Sequence, residues 1–374
     1  MQWKLGDKPN GRKLHARAIP HLGGVAIFAG FFLALLALLA TPFGIPQASR
    51  ILALLPGLLV VFGLGLVDDM RGLRASVKLT YQVLGAVCIV AMGAGLWRGP
   101  VLEPFALFAV ALSVFWYVGV CNSVNLIDGL DGLAAGLAVL AATAFLAVGV
   151  RLGDAAVVLV ALSLIGALLA FLRFNFHPAK IFMGDTGSMF LGFVLAFLAC
   201  LLAPRLGFWT ALLGGATVLG VPILDTVTAI CRRLVAKQHI FSADGEHTHH
   251  KLLRLGLSHR GAVLLLYGLG AVFAILGGGI LLGQTRLFPV AVALAVGFSL
   301  GTTSAARWSR RQRAAAPEAA PGPEPLGIRP EPLGIRPEPA RAESRGLVRE
   351  TPPRVEPAPV GEDILATLPP RRTR

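Results

Sequence analysis

Three short stretches of this 374-residue chain gather oxygen-bearing side chains at spacings that invite chemistry. Asp68 and Asp69 are adjacent. Asn125-Leu-Ile-Asp128-Gly-Leu-Asp131-Gly holds two carboxylates and an amide with no base among them, and Gly184-Asp185-Thr186-Gly187-Ser188 sets a carboxylate between glycines. Ordinary polar loops mix charges of both signs; an all-acidic stretch needs a cation. Hard oxygen donors of this kind suit magnesium, which commonly joins protein carboxylates to a diphosphate. The glycines around Asp185 permit close backbone approach, and the N–H groups of a helix start favour phosphate; a plain helix cap is the lesser reading of Asp185.

The complementary charge lies elsewhere. Asp7-Lys8-Pro9-Asn10-Gly11-Arg12-Lys13-Leu14-His15 is basic, Lys78 stands alone, and residues 232–259 carry His247, His249 and His250 among several Lys and Arg. The three histidines could suggest zinc, but no Cys is near and Lys251, Arg254 and His259 crowd them, so anion recognition is the preferred reading. A divalent cation facing fixed basic groups is what phosphoryl transfer requires, since its catalysis is largely positioning and charge neutralisation.

The elements that must hold these residues are apolar. The chain is 55% hydrophobic and 14% charged, with a mean hydropathy of +0.72, where a soluble domain carries about 25% charge. Ten blocks near bilayer length stand out: 23–43, 51–67, 77–96, 104–121, 133–150, 155–172, 188–203, 208–228, 261–283 and 287–306. Backbone in hydrocarbon must satisfy itself, so these are read as helices of an all-α, polytopic transmembrane bundle. With a cytoplasmic N-terminus, 20 Lys and Arg fall in inside segments and five (Arg50, Arg98, Arg151, Arg205, Arg286) in outside ones. The positive-inside rule then places both termini in the cytoplasm. The same orientation puts Asp68, Asp128, Asp131, Asp185 and Asp225 on the inner side, with only Glu103 and Asp154 of the membrane region outside.

The net charge of +14 does not signal nucleic acid. From Pro317 onward nine Arg balance nine Asp and Glu, so the excess belongs to the loops flanking the apolar blocks. That tail repeats Pro-Glu-Pro-Leu-Gly-Ile-Arg, and its prolines and low apolar content predict disorder. The expected organisation is a basic N-terminal segment (1–22), a transmembrane catalytic domain (23–306) and a basic juxtamembrane stretch with a Pro-rich cytoplasmic tail (307–374). The four cysteines are scattered and read as buried thiols. Met1–Pro20 is polar and basic, unlike a cleavable signal peptide.

In this order the motifs resemble the polyprenyl-phosphate N-acetylhexosamine-1-phosphate transferases, glycosyltransferase family 4. The resemblance covers roughly residues 5–305. Its marks are the Asp7-Lys8-Pro9-Asn10 segment, Ile19-Pro20-His21-Leu22-Gly23-Gly24, Val67-Asp68-Asp69, the Asn125–Gly132 stretch, residues 174–188 and His239 to Leu253. The sequence His247-Thr-His249-His250-Lys-Leu-Leu resembles the branch using UDP-N-acetylglucosamine, as in undecaprenyl-phosphate N-acetylglucosaminyl 1-phosphate transferases, more than the branch using UDP-MurNAc-pentapeptide. The family usually has eleven spans; here six residues precede Asp7, so the expectation is ten, without the first helix.

The resemblance implies transfer of N-acetylglucosamine-1-phosphate from a UDP-N-acetylhexosamine donor to polyprenyl phosphate in the inner membrane, with release of UMP on the cytoplasmic face. It implies Asn125 and Asp185 as magnesium ligands, with manganese as the substitute metal. Asp68, Asp69, Asp128 and Asp131 become the catalytic carboxylates; Lys8, Asn10, Arg12, Lys78, Asn175, Lys180, His247, His249 and His250 become substrate contacts. No nucleic acid is involved, and a homodimer is compatible. A secondary transporter is the rival from another class, hinted at only by Asp225 behind Pro222 within the eighth block.

Overall fold

The computed structural model describes residues 6–7, 19–97, 104–238 and 247–315. Lys8, Asn10, Arg12, the His239–Glu246 part of the last motif and the Pro-rich tail lie outside the described residues. Two-residue strands β1 (Gly6–Asp7) and β2 (Ile19–Pro20) pair antiparallel, a small departure from an all-α expectation.

The remainder is helical: α1 (Gly23–Leu39), α2 (Ala48–Leu52), α3 (Leu55–Arg71), α4 (Ala75–Ala91), α5 (Pro104–Ile127), α6 (Leu133–Leu152), α7 (Ala155–Asn175), α8 (Gly184–Leu206), α9 (Phe208–Val218), α10 (Gly220–Val235), α11 (Thr248–Arg254), α12 (His259–Leu281) and α13 (Leu287–Ala315). Among the described residues, six helices are long and apolar enough to cross a membrane. Two bent pairs also qualify, and α1 and α4, at 17 residues each, are shorter. Each of the ten apolar blocks therefore falls on helix, and the chain has the make-up of a helical membrane protein.

Two blocks are not single helices. Residues 208–228 divide into α9 and α10 at Leu219 with an 86° bend. Pro222 lacks an N–H, and its ring would clash with the carbonyl four residues earlier, so a straight helix through this point is excluded. The apolar pattern alone does not reveal this, because both halves are apolar. The earlier block 51–67 likewise has a break, 53° at Ala53–Leu54, ahead of Pro56.

Helix α8 is the centre of the bundle. Every residue from Thr186 to Ala203 is buried, and α1, α3, α5, α6, α7 and α9 pack around it. A helix without a polar face suits such a position, as it would a place against lipid. The N-terminus of this most enclosed helix carries Asp185. At the other extreme, α13 has almost none of its span covered by protein.

Candidate active site

Helices α3, α4, α5 and α8 bring their ends together at one end of the bundle, around a cleft of about 590 Å³. Asp68, near the end of α3, is buried and accepts from the Leu73 N–H at 2.6 Å. Lys78, in the first turn of α4, is ion-paired to Asp68 and reaches Asp185 Oδ2 at 2.6 Å. Asn125, near the end of α5, donates to Asp185 Oδ1 at 2.8 Å and to Ser188 Oγ at 2.9 Å. Carboxylates from α3 and α8, far apart in sequence, thus share one ammonium group.

Asp69 points to a different partner. Its oxygens accept from the N–H groups of Asp185 (2.7 Å) and Thr186 (3.0 Å) and from Thr186 Oγ1 (2.6 Å). It therefore caps α8 from another helix, meeting donors that a helix start leaves unsatisfied. Gly184 has φ +70°, and a Cβ there would lie 2.6 Å from Asp69 Oδ2. Only glycine lets the two come so close. The adjacent aspartates, equal by sequence, are divided by the fold: Asp68 faces Lys78, while Asp69 fixes the helix that bears Asp185.

The segment between α5 and α6 forms another wall. Asp131 Oδ2 meets His177 Nδ1 at 2.8 Å and accepts from Ala179 N–H at 3.1 Å. Asn175 accepts from Gly132 N–H at 3.0 Å and donates to the Ile181 carbonyl at 2.9 Å. Both side chains hold loops against each other as well as lining the cleft. Asp128 is half-buried; desolvation, reinforced by Asp185, Asp69 and Asp131, pushes its pKa up to about 7.

The histidine segment braces this wall from behind. His247 Nδ1 lies 2.8 Å from Asp225 Oδ2, and Thr248 N–H donates to Asp225 Oδ1 at 2.7 Å. Asp225, the residue that hinted at transport, anchors the start of α11. His249 packs on Gly129, where a Cβ would come within 2.3 Å of its Nε2. Burial, and next the nearby His250, bring the His249 pKa down to about 4, so it is a neutral ring at physiological pH. His250 is exposed, and Lys180 is exposed beside Ala179; neither is among the residues lining the cleft. His21 does line it, its ring 5.7 Å from that of Phe182. The motif Ile19–Gly24 marks that residue, but nothing in its local pattern distinguishes a cleft histidine from a loop one.

Two groups could hold a cation. Asp131, His177 and His259 each offer a ligand atom within 4.8 Å of the others, a mixed oxygen and imidazole set, with Asp131 and His177 already bonded to one another. The Asp68, Asp185 and Asn125 group offers oxygen donors only. It lies in a cleft whose described lining has five carboxylates and one lysine. A hard divalent cation fits this second group.

Fold and site together define a helical membrane protein with a carboxylate-rich, lysine-bridged cleft at its helix ends. The profile of glycosyl transferase family 4 matches residues 51–203. A probable undecaprenyl-phosphate N-acetylglucosaminyl 1-phosphate transferase of Bacillus subtilis is 41% identical over 279 residues, covering 73% of this chain and 76% of that protein. A decaprenyl-phosphate N-acetylglucosaminephosphotransferase of Mycobacterium leprae is 36% identical over 69% of this chain and 72% of its own length. An undecaprenyl-phosphate alpha-N-acetylglucosaminyl 1-phosphate transferase of Thermotoga maritima is 33% identical, over 72% and 80% respectively. The chain belongs to glycosyl transferase family 4.

Proposed function

We propose that this enzyme transfers N-acetylglucosamine-1-phosphate from UDP-N-acetylglucosamine to polyprenyl phosphate and releases UMP. Relatives at 41%, 36% and 33% identity bear names for that transfer. The observation that carries the reading to particular residues is the Asp68–Lys78–Asp185 arrangement, a charged group at the membrane margin with a cleft large enough for a diphosphate.

In this reading a phosphate oxygen of the acceptor attacks the phosphorus bonded to the sugar. A new P–O bond forms as the bond to the bridging oxygen breaks, and UMP leaves with that electron pair. Asp185 and Asn125 hold magnesium, or manganese in its place, with Asp68 beside them. Magnesium, when bound, offsets the diphosphate charge and the charge building on UMP. Lys78 positions the phosphates, and Asp68 orients the acceptor. A phosphate monoester has a second pKa near 6, so the acceptor is mostly dianionic at neutral pH and the base has little proton to remove. Asp69 acts through α8, Asp128 and Asp131 shape the nucleotide side, and His249 supports them through Gly129 as a neutral ring.

The orientation proposed with it has ten spans in the inner membrane, both termini and the cleft on the cytoplasmic side, where UDP-sugars are made, and a cytoplasmic tail that takes no part in transfer. In a Cys-depleted variant, a cysteine at Leu152 should react with an impermeant thiol reagent applied from outside, and one at Gln238 should not. The activity itself is tested by UMP release in membranes supplied with polyprenyl phosphate. Release must depend on both magnesium and the lipid; UMP formed at the same rate without the lipid would overturn the reading.

A further inference from the structure

Helix α12 supplies no lining residue to the cleft among the described residues, yet three of its side chains grip the wall that carries Asp131. His259, its first residue, stacks on the His177 ring, with centroids 4.1 Å apart and planes 19° from parallel. Arg260 donates to the His177 carbonyl at 3.1 Å. About two turns further along α12, the Tyr267 hydroxyl donates to the Gly132 carbonyl at 2.6 Å. The start of α6 is shaped to receive that hydroxyl, since a Cβ on Gly136 would lie 2.0 Å from it. One helix thus holds both halves of the wall, the turn before α6 through Tyr267 and the loop after α7 through His259 and Arg260.

These contacts converge on one carboxylate. His177 Nδ1 and the Ala179 N–H both meet Asp131 Oδ2. A carboxylate only accepts, so His177 carries its hydrogen on Nδ1. With two donors on Oδ2 the plane of the carboxylate is set, and Oδ1, which takes no hydrogen bond from a described residue, is left for a ligand. Packing accounts for an aromatic stack. It does not account for hydrogen bonds from one helix to the residue after Asp131 and to the residue whose ring is bonded to Asp131. We propose that α12 positions Asp131 for the nucleotide part of the donor: His259 and Arg260 fix His177, and Tyr267 fixes Gly132. All three are positioning residues, acting through His177 and Gly132 without touching substrate. Asp131 is assigned to the nucleotide side by the transfer reading, on which this proposal rests.

The test uses the full chain in nanodiscs. Calorimetry measures binding of UDP-N-acetylglucosamine with magnesium and no acceptor, and UMP release with polyprenyl phosphate gives the kinetic constants. His177→Ala should raise the donor Kd and KM about five- to tenfold, the scale of one lost hydrogen bond, with kcat and the acceptor KM little changed. His177→Asn, whose amide can donate to Asp131 in place of Nδ1, should recover most of that affinity. His259→Ala and Tyr267→Phe should each give a smaller rise in donor Kd, and His259→Phe, which keeps a stacked ring, should restore most of the loss. In the His177→Ala background His259→Ala should add nothing, because it acts through that ring. An unchanged donor Kd in His177→Ala overturns the proposal, and so do fully additive effects of the two histidine changes. Should His177→Ala fail to fold, Tyr267→Phe, which deletes one hydroxyl, decides on its own: an unchanged donor Kd overturns the proposal. Wild-type protein that binds the donor but releases no UMP with lipid would remove the transfer reading, and the calorimetric series would still judge α12. Wild-type protein that does not bind the donor overturns both.

Discussion

At the end of the bundle away from the cleft, Asp154 is fully buried, caps α7 through Val157 N–H, and is held by the Arg50 guanidinium with both contacts at 3.0 Å. Arg205 adds a third cationic contact at 3.4 Å. At the cleft end, Asp68 and Asp185 share the single ammonium of Lys78, with Asp128 and Asp131 nearby. One carboxylate between two arginines is electrically complete and has only structure to support. Several carboxylates around one lysine are not complete, and a site of that kind gains from a divalent cation and a bound phosphate. The same residue types thus form a brace at one end and line the proposed binding site at the other, and the ratio of charges distinguishes them.

The sharpest way to break this comparison is to remove one carboxylate at each end. Asp185→Asn should lower transfer by about 10²–10³ with saturating magnesium, the scale of losing one group that stabilises developing charge, while the folded protein still inserts. Asp154→Ala should do the reverse: turnover of the folded fraction stays near wild type, and stability drops by about 1–2 kcal/mol, the scale of losing the cap on α7 together with its partly exposed arginine contacts. Both are read from UMP release and thermal unfolding in parallel. A folded but inactive Asp154→Ala protein would erase the distinction.

Lys78→Gln sharpens the comparison. Removing the ammonium that pairs with Asp68 and Asp185 makes the cleft more negative, so calorimetry should find magnesium bound more tightly even as transfer slows. Weaker magnesium binding would mean that Lys78 holds the carboxylates in place and does not compete with the metal.

The smallest effect concerns pH. His249, with a folded pKa of about 4 against about 6.5 in an unfolded chain, has the same charge in both states above about pH 6.5. As pH falls from there toward 4 the unfolded chain takes up the proton first, so stability declines and then levels off. His249→Phe should flatten that part of a Tm-against-pH curve.

What the residues determined by themselves was the class of structure and the acidic stretches that line the cleft. Long uncharged blocks can only be satisfied as membrane helices, and a stretch such as Asn125–Asp131, acidic without a base, announces its need for a cation wherever it lies. What tertiary structure decided was the task of each residue. Nothing local separates Asp68 from Asp69, yet α8 takes one as its cap and leaves the other to Lys78. Asn175 and His247 resemble ligand contacts in sequence, and their hydrogen bonds turn out to join loops and helices. The bend at Leu219, the closeness of Gly129 to His249 and the meeting of Arg50 with Asp154 likewise depend on partners far away in the chain. Periodicity and composition are properties of neighbours in sequence, whereas the direction of a carboxylate is set by whichever donor the fold brings to within 3 Å of it.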